Sequence, residues 1–365
     1  MSVWKETTLE KLGTLETGKQ TAKKVDVSLF DMGNVPLIDG KEVSESRLYI
    51  LKCNRHYNKL GLRQSKLFSK NTVCLVRCGS SGDSALLKFD ACLSDKIYGF
   101  NSFENISDPK FIRYCLTFRE TKRKLIALSS SSTAQPVLSF KKLSLIKISV
   151  PNFATQKKIG DILSAYDELI ENHQKQIEIL EKLRTDLYKE WFINLRFPNY
   201  EKYEIKDGLP EGWKKIKLKD IATIQKGKKP AGHANPNGEY PFFTAAFETK
   251  KSNGFSYDSF SLIIAEGGEF HIKIYNGKFE ASDHTYIINF ENLDYIFLVC
   301  EALDANYINF LNKTIVGTTI KNLPIKQVKE LSILLPTKEL IKKFNIFCED
   351  IQSKIEKLDA KMRKN

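Results

Sequence analysis

The sequence predicts an α+β protein in which two globular domains with curved antiparallel sheets are separated by two long helices that form an antiparallel coiled coil, an internal pseudo-twofold repeat. Three observations predict it. First, the chain repeats itself: WKETTLEKLGTLETGK at 4–19 and WKKIKLKDIATIQKGK at 213–228 align without a gap. Trp4 falls on Trp213, Lys5 on Lys214, Leu9 on Leu218, Thr14 on Thr223, Gly18 on Gly227 and Lys19 on Lys228. Second, the copies close alike, with Thr133, Leu138 and Pro151 answered by Thr318, Leu323 and Pro336. Third, each copy then enters a long stretch whose apolar residues recur at 3,4 spacing.

In chain order, residues 1–150 form the first domain. Its opening run, about Thr7–Glu16, reads as a short helix leading to a Gly/Lys loop, as does Leu218–Gln225 in the second copy. Thr72–Arg77 and Ser261–Ala265 read as strands, and Pro109–Leu128 and Leu293–Leu311 as amphipathic helices. Residues 151–200 hold the first long helix, about Ala154–Trp191, which would span ~57 Å. Its expected seam is Ile159, Ile162, Tyr166, Leu169, His173, Leu180, Leu183 and Leu187, with the polar His173 and Gln176 fixing the register. Residues 201–335 form the second domain. Residues 336–365 form the second helix, with a heptad of Ile341, Phe344, Cys348, Ile351, Ile355, Leu358 and Met362. Such a seam needs a partner helix, so the two are expected to pair. From opening Trp to closing Pro the first copy spans 147 positions and the second 123, a surplus expected in loops.

With 365 residues, 42% apolar and 28% charged, the composition is globular and excludes bulk disorder. No apolar run approaches the roughly 18 residues of a membrane span, and MSVWKETTLEKLG lacks the pattern of a signal peptide, so a cytoplasmic protein is expected. Cys53, Cys74, Cys78, Cys92, Cys115, Cys300 and Cys348 form no C-x-x-C pair, so free thiols are expected rather than disulfides or a zinc ribbon. A net charge of +13 favours an acidic partner, nucleic acid first, because Lys and Arg that neutralise phosphates release counterions. Charge alone leaves a merely basic protein equally open. The excess is uneven: residues 1–150 carry +11, whereas 201–335 are neutral and contain no arginine.

Motifs for chemistry are missing. Asn235-Pro236-Asn237-Gly238 is the nearest approach to the Asn/Asp-Pro-Pro-aromatic motif of an adenine methyltransferase, and it reads as a turn. Neither a G-x-G-x-x-G nor a Walker A sequence occurs. Asp108, Glu120 and Lys122 offer the residue types of a nuclease, but Glu120 and Lys122 fall in a predicted helix beside Arg119 and Arg123, as a solvated face would. Cys74 and Cys78 lack further ligands nearby, so no metal site is expected.

Four stretches carry a resemblance to a known family: STAQPVLS at 132–139, YDELIENHQKQIEILEKLR at 166–184, LYKEWFINLRFPNYE at 187–201 and GLPEGWKKIKLKDIATIQKGK at 208–228. They resemble the specificity (S) subunits of type I restriction-modification systems, which defend cells against foreign DNA. The resemblance implies two target-recognition domains, each reading one half of a bipartite site on double-stranded DNA. It implies a non-catalytic subunit whose helices dock two modification (M) subunits, which bring S-adenosylmethionine and DNA adenine methylation. Restriction (R) subunits would add ATP with Mg2+, and the chain itself would need no cofactor. The sequence departs from the family at Thr155-Gln156, at Gly317-Thr318-Thr319-Ile320, and in a second helix with no counterpart of EWFINLRF. Two other classes stand beside this reading: a coiled-coil scaffold whose globular domains bind protein, and a self-contained methyltransferase or nuclease, which the missing motifs disfavour.

Sequence is read through base edges and register is set by phosphates, so basic, glycine-rich loops are the candidates. In the first domain these are Lys19, Lys23 and Lys24 in the loop after Gly18, then Arg55, Arg63 and Lys66, then Arg77 with Ser80 and Ser81. In the second they are Lys226, Lys228 and Lys229, with Thr244, Lys250, Lys251 and His271. The loops Ser129–Gln135 and Gly317–Thr319 either contact DNA or anchor each domain on its helix. The charge map predicts weaker DNA binding and a shallower salt dependence for the second domain.

Overall fold

The computed structural model describes residues 4–20, 26–129, 137–144, 146–267, 271–314 and 323–364. The chain divides into two compact units, residues 1–174 and 175–364, the boundary falling inside the first long helix.

The first unit contains strands β1 (Lys5–Thr8), β2 (Gly13–Thr17), β3 (Val35–Ile38), β4 (Tyr49–Ile50), β5 (Arg55–Tyr57), β6 (Leu67–Phe68), β7 (Val73–Val76), β8 (Ser84–Leu87), β9 (Ala91–Leu93), β10 (Ile97–Ser102) and β11 (Lys147–Val150). Its helices are α1 (Gly40–Glu45), α2 (Lys59–Gln64), α3 (Pro109–Thr117), α4 (Arg119–Ser129) and α5 (Phe140–Ser144). A five-stranded sheet runs β2-β10-β7-β8-β4 and a four-stranded sheet β5-β3-β9-β6. Pairing is antiparallel except between β3 and β9 and between β4 and β8. Strand β7 shows why the sheets stack. Val73 and Leu75 enter a core shared with Phe111, Ile112 and Leu116 of α3, while Cys74 and Val76 enter a second core with Ile38, Phe68 and Leu93. A period of two thus feeds both faces of one strand.

The second unit contains β12 (Ile205–Lys206), β13 (Leu209–Pro210), β14 (Lys214–Lys217), β15 (Ala222–Lys226), β16 (Tyr240–Phe243), β17 (Lys250–Ser252), β18 (Tyr257–Ala265), β19 (Ile272–Ala281), β20 (Thr285–Phe290) and β21 (Ser332–Leu335). Its six-stranded sheet runs β15-β20-β18-β19-β16-β17. In this sheet β19 pairs antiparallel with β18 and parallel with β16, combining the roles that β8 and β9 divide in the first unit. Strand β18 repeats the alternation of β7: Leu262 and Ile264 face the large core, Ile263 the smaller one. The surplus of the first copy lies mainly between β3 and β7, where α1, α2, β4 and β6 are inserted.

Both opening segments correct the sequence expectation. In place of a helix over Thr7–Glu16, β1 and β2 flank a 3-10 turn at Leu9–Lys11, and β14 and β15 flank the same turn at Leu218–Asp220. Leu9 and Leu12, spaced as on a helix, are buried from the turn itself. Remote partners decide the outcome: β1 pairs with β11, from Lys5 opposite Val150 to Thr8 opposite Lys147, and β14 pairs with β21 in the same way.

Each closing strand feeds a long helix. Helix α6 (Phe153–Tyr188) is 36 residues, or ~54 Å. A π-helical turn at Lys189–Ile193 ends it, followed by left-handed residues at Leu195 and Asn199. The second unit adds α7 (Ile296–Thr314), α8 (Ile325–Lys329) and α9 (Lys338–Lys364). Within that unit α6 and α9 run antiparallel: Arg184 reaches Gln352 at 3.2 Å, and the Tyr188 and Trp191 rings lie 6.4 and 6.0 Å from Phe344.

The α9 heptad buries Phe344, Cys348 and Ile351 and half-buries Ile355 and Leu358. The α6 seam needs correction. Ile162, Tyr166, Leu169 and Leu183 are exposed. His173 is buried, while Ile159, Leu180 and Leu187 are half-buried. Over the first half of α6 the covered face is instead polar and small, whereas the second half buries Ile177 and Tyr188. Gln156 binds the Asp108 amide and the Ile106 and Pro151 carbonyls, and Gly160 lies against Asp108 and Lys110. Ser164 is buried, and Asp167 accepts from Arg47 and Tyr114. The first half of α6 therefore docks on its own domain through hydrogen bonds, which an apolar-spacing argument does not register.

Candidate nucleic-acid interface

In the first unit the strand ends gather the candidate loops. The Gly18 amide donates to the Ile97 carbonyl at 2.8 Å, and a Cβ there would collide with the Leu93 and Ser94 carbonyls, so only glycine fits. The next residue, Lys19, is exposed, and its carbonyl accepts from the Ser65 hydroxyl at 2.5 Å. Lys66 pairs with Glu16 and lies over the Phe68 ring.

Asp39, which caps α1, is the hub. It accepts from the Gly40 amide at 2.8 Å and the Ser94 hydroxyl at 2.9 Å, with Arg55 at 3.4 Å and Lys96 at 3.8 Å. Burial alone would raise its pKa; the Gly40 and Ser94 hydrogen bonds, with Lys96 and Arg55, outweigh it and hold the carboxyl below its ordinary value. The Lys96 carbonyl in turn accepts from the Arg77 amide at 2.9 Å. The Arg77 guanidinium stands 5.1 Å from the Tyr98 ring centroid. The loop beyond it turns through Gly79 and Gly82 at positive φ, leaving Ser80 exposed and Ser81 buried with its hydroxyl on the Arg77 carbonyl.

The structure thus brings Lys19, Arg55, Lys66, Arg77 and Ser80 to one linked end of the strands. Arg63 is exposed on α2 with no ion-pair partner among the described residues. Lys23 and Lys24 lie outside the described residues. Arg55 and Lys66 are paired with carboxylates, but half-exposed pairs of this kind are worth at most about 1 kcal/mol and exchange readily for a phosphate. Asp39 and Lys96 are missed by sequence reasoning, since nothing local in DG or SDK signals a shared hub.

The second unit repeats the arrangement. The Gly227 amide donates to the Thr285 carbonyl at 3.0 Å, and a Cβ there would strike the Ala281 and Ser282 carbonyls. Lys228 is exposed, and Lys229 bridges to Ser282. Lys226 pairs with Glu266 at 2.5 Å. Lys250 and Lys251 are exposed on the outermost strand of the sheet, where lysines also discourage edge-to-edge pairing.

Two expectations are corrected. Thr244 is buried, and its hydroxyl accepts from the Ala246 amide at 3.2 Å, so it stabilises a turn. His271 is buried with its ring 5.7 Å from Phe247, a packing position rather than a contact surface. Lys273, not singled out from sequence, bonds the Thr249 hydroxyl at 2.8 Å and lies over the Phe243 and Phe247 rings. The residues that offered a nuclease pattern are dispersed: Asp108 caps α3 at the Phe111 amide, and Lys122 pairs with Asp83 at 2.8 Å.

The two sheets share hydrogen bonds as well as glycines, the tyrosine bond at the candidate end and the asparagine bond toward the other end of the strands. The Tyr98 hydroxyl donates to the Leu138 carbonyl at 2.9 Å, and the Tyr286 hydroxyl to the Leu323 carbonyl at 2.7 Å. Thr72 donates to Asn101 at 2.7 Å, and Ser261 to Asn289 at 2.6 Å.

Residues 1–182 and 210–358 match the family model described as the type I restriction modification DNA specificity domain. The type I restriction enzyme MjaIX specificity subunit of Methanocaldococcus jannaschii is 26% identical over 393 residues, covering 96% of this chain and 87% of the relative. The EcoDI specificity subunit of Escherichia coli is 33% identical over 129 residues, covering 35% of this chain and 29% of that protein. Among solved structures, the S subunit of a type I restriction-modification system from M. genitalium shares the fold, with a TM-score of 0.64 and 17% identity over 100% of this chain and 93% of that one.

Proposed function

The chain belongs to the specificity subunits of type I restriction-modification systems, and on that premise we propose that it reads a bipartite site on double-stranded DNA and recruits two methyltransferase (M) subunits. As a specificity subunit it is non-catalytic and contributes the DNA-recognition domains. In this reading residues 1–150 and 201–335 are target-recognition domains that each read one half-site, and residues 151–200 and 336–365 are the helical spacers between them.

The observation that carries the reading is the doubled strand end. Two separately built sheets present the same glycine-pinned basic loop, at Gly18–Lys19 and Gly227–Lys228, beside the same tyrosine-to-carbonyl bond. Each copy offers its own basic and polar groups to DNA, as two half-sites require. The M subunits would dock on the helices, which the exposed apolar residues Ile162, Tyr166, Leu169 and Leu183 of α6 support, since water-facing apolar stripes mark interaction surfaces. The M subunits would supply S-adenosylmethionine, and R subunits ATP with Mg2+. The assembly would act in the cytoplasm; among the described residues no helix is long and apolar enough to cross a membrane.

Footprinting of the chain assembled with its methyltransferase on duplex DNA tests this. Two protected base-contact blocks separated by a constant unread gap are expected. One contiguous block would contradict it.

A further inference from the structure

The repeat fixes which side chains occupy equivalent places in the two domains. In the first, the Leu138 amide donates to the Arg77 carbonyl at 2.8 Å and the Leu138 carbonyl accepts from Tyr98 at 2.9 Å. In the second, the Leu323 amide donates to the Glu266 carbonyl at 2.6 Å and the Leu323 carbonyl accepts from Tyr286 at 2.7 Å. Arg77 and Glu266 are therefore equivalent residues of opposite charge.

A cation nevertheless stands over the tyrosine in both. The Arg77 guanidinium is 5.1 Å from the Tyr98 centroid, and the Lys226 ammonium, reaching in from β15, is 5.6 Å from the Tyr286 centroid. Their states differ. Lys226 is neutralised by Glu266 at 2.5 Å, whose Oε1 also lies 2.9 Å from the Tyr286 oxygen and shares with the Leu323 carbonyl the single proton of that hydroxyl, while its Oε2 stands 3.5 Å from His284 Nδ1. Arg77 has no carboxylate partner among the described residues. A terminal nitrogen of its guanidinium reaches the Asp95 carbonyl at 3.5 Å, and its buried Nε makes no hydrogen bond. A cationic donor fork beside an exposed glycine-serine loop matches the paired acceptors of guanine, N7 and O6; a carboxylate matches the N4 amine of cytosine.

We propose that the position over the tyrosine contacts a base in each domain with opposite chemistry. Arg77 reads a guanine in the first half-site, and Glu266 reads a cytosine in the second while Lys226 turns to a neighbouring phosphate. The assignment rests on the bipartite reading above and deepens it, making residue 77 and residue 266 the specificity-determining pair. At this position the cation of the second domain is matched by the carboxylate beside it, whereas that of the first is not.

The test uses the full chain assembled with its methyltransferase, with methylated motifs read by sequencing for wild type, Arg77→Lys and Glu266→Gln. Arg77→Lys keeps the charge and loses the fork. The preference for guanine at one position of one half-site should fall roughly 5- to 150-fold, the other half-site being unchanged. Glu266→Gln should relax a cytosine in the other half-site alone. Retention of the wild-type motif by both variants, or relaxation of both half-sites by one variant, overturns the assignment. If a variant complex methylates nothing, its binding to base-substituted duplexes is measured instead, and undiminished discrimination overturns the assignment equally. A wild-type complex without a bipartite motif would contradict the functional reading itself, which separates the two failures.

Discussion

Arg184 of α6 forms a buried ion pair with Glu301 of α7, Nε to Oε1 at 2.5 Å, with only 10% and 2% of the two side chains exposed. Thr185 donates to the other carboxylate oxygen at 2.7 Å, and Arg184 continues to Gln352 of α9 at 3.2 Å. The pair thus ties three helices of the second unit. Arg184→Met removes the cation and leaves Glu301 in a dry site with Thr185 alone, a loss of about 3–5 kcal/mol. In a unit of about 190 residues each kcal/mol shifts Tm by roughly 2–4 °C, so the melting transition of that unit should fall by about 6–20 °C. Arg184→Met combined with Glu301→Met should recover most of the loss, because two apolar side chains of similar volume need no desolvation of charge. Calorimetry of wild type, the single variant and the double variant measures this, with Lys206→Met at the exposed Lys206–Glu204 pair as a control expected to cost less than about 1 kcal/mol. A loss at Arg184 no larger than that control, or a double variant no better than the single, would refute the reasoning.

Three further outcomes follow from the same geometry. Gly18→Ala and Gly227→Ala each force a Cβ against two carbonyls and should destabilise their own domain by about 1–3 kcal/mol, seen as local loss of hydrogen-exchange protection; equal protection in variant and wild type would contradict the close approach. Glu330 is held between Lys217 and Lys219, which draw its carboxyl down to about 2. With the folded pKa below the unfolded one, near ~4.3, its contribution is complete above the unfolded value and lost as pH falls toward about 2. The Tm difference between wild type and Glu330→Gln should therefore be present at pH 7 and close over that window, and a difference constant with pH would contradict the pairing. Leu169→Glu, on the exposed stripe of α6, should leave Tm nearly unchanged and abolish co-purification of the methyltransferase; retained co-purification would remove the stripe from that role.

Much of this was legible in the sequence, for identifiable reasons. Gly18 and Gly227 match because the backbone approach they permit excludes every other residue, and Leu138 and Leu323 match because each side chain is buried in the core of its own domain. Helix α9 was legible because its burial is apolar and follows one heptad. The opening strands were not, since KETTLEKLGTLET is rich in helix formers and its strand state depends on partners over 80 residues away. The covered face in the first half of α6 was hidden for the opposite reason: its contacts are made by Gln156, Ser164 and Asp167, which no hydrophobic period reports. At the candidate interface, Lys19, Arg77 and Lys228 were readable as basic residues beside glycine. The Asp39 hub and the Arg77–Glu266 equivalence were not, because they arise only where separate strands meet.

The central claim is that two repeated domains read two separate half-sites. Methylome sequencing of cells carrying the intact system, compared with cells lacking this chain, tests it most directly. The account predicts methylation confined to one motif of two short specific blocks separated by a gap of constant length, lost entirely without the chain. A single uninterrupted motif, or methylation that persists in the absence of the chain, would contradict it.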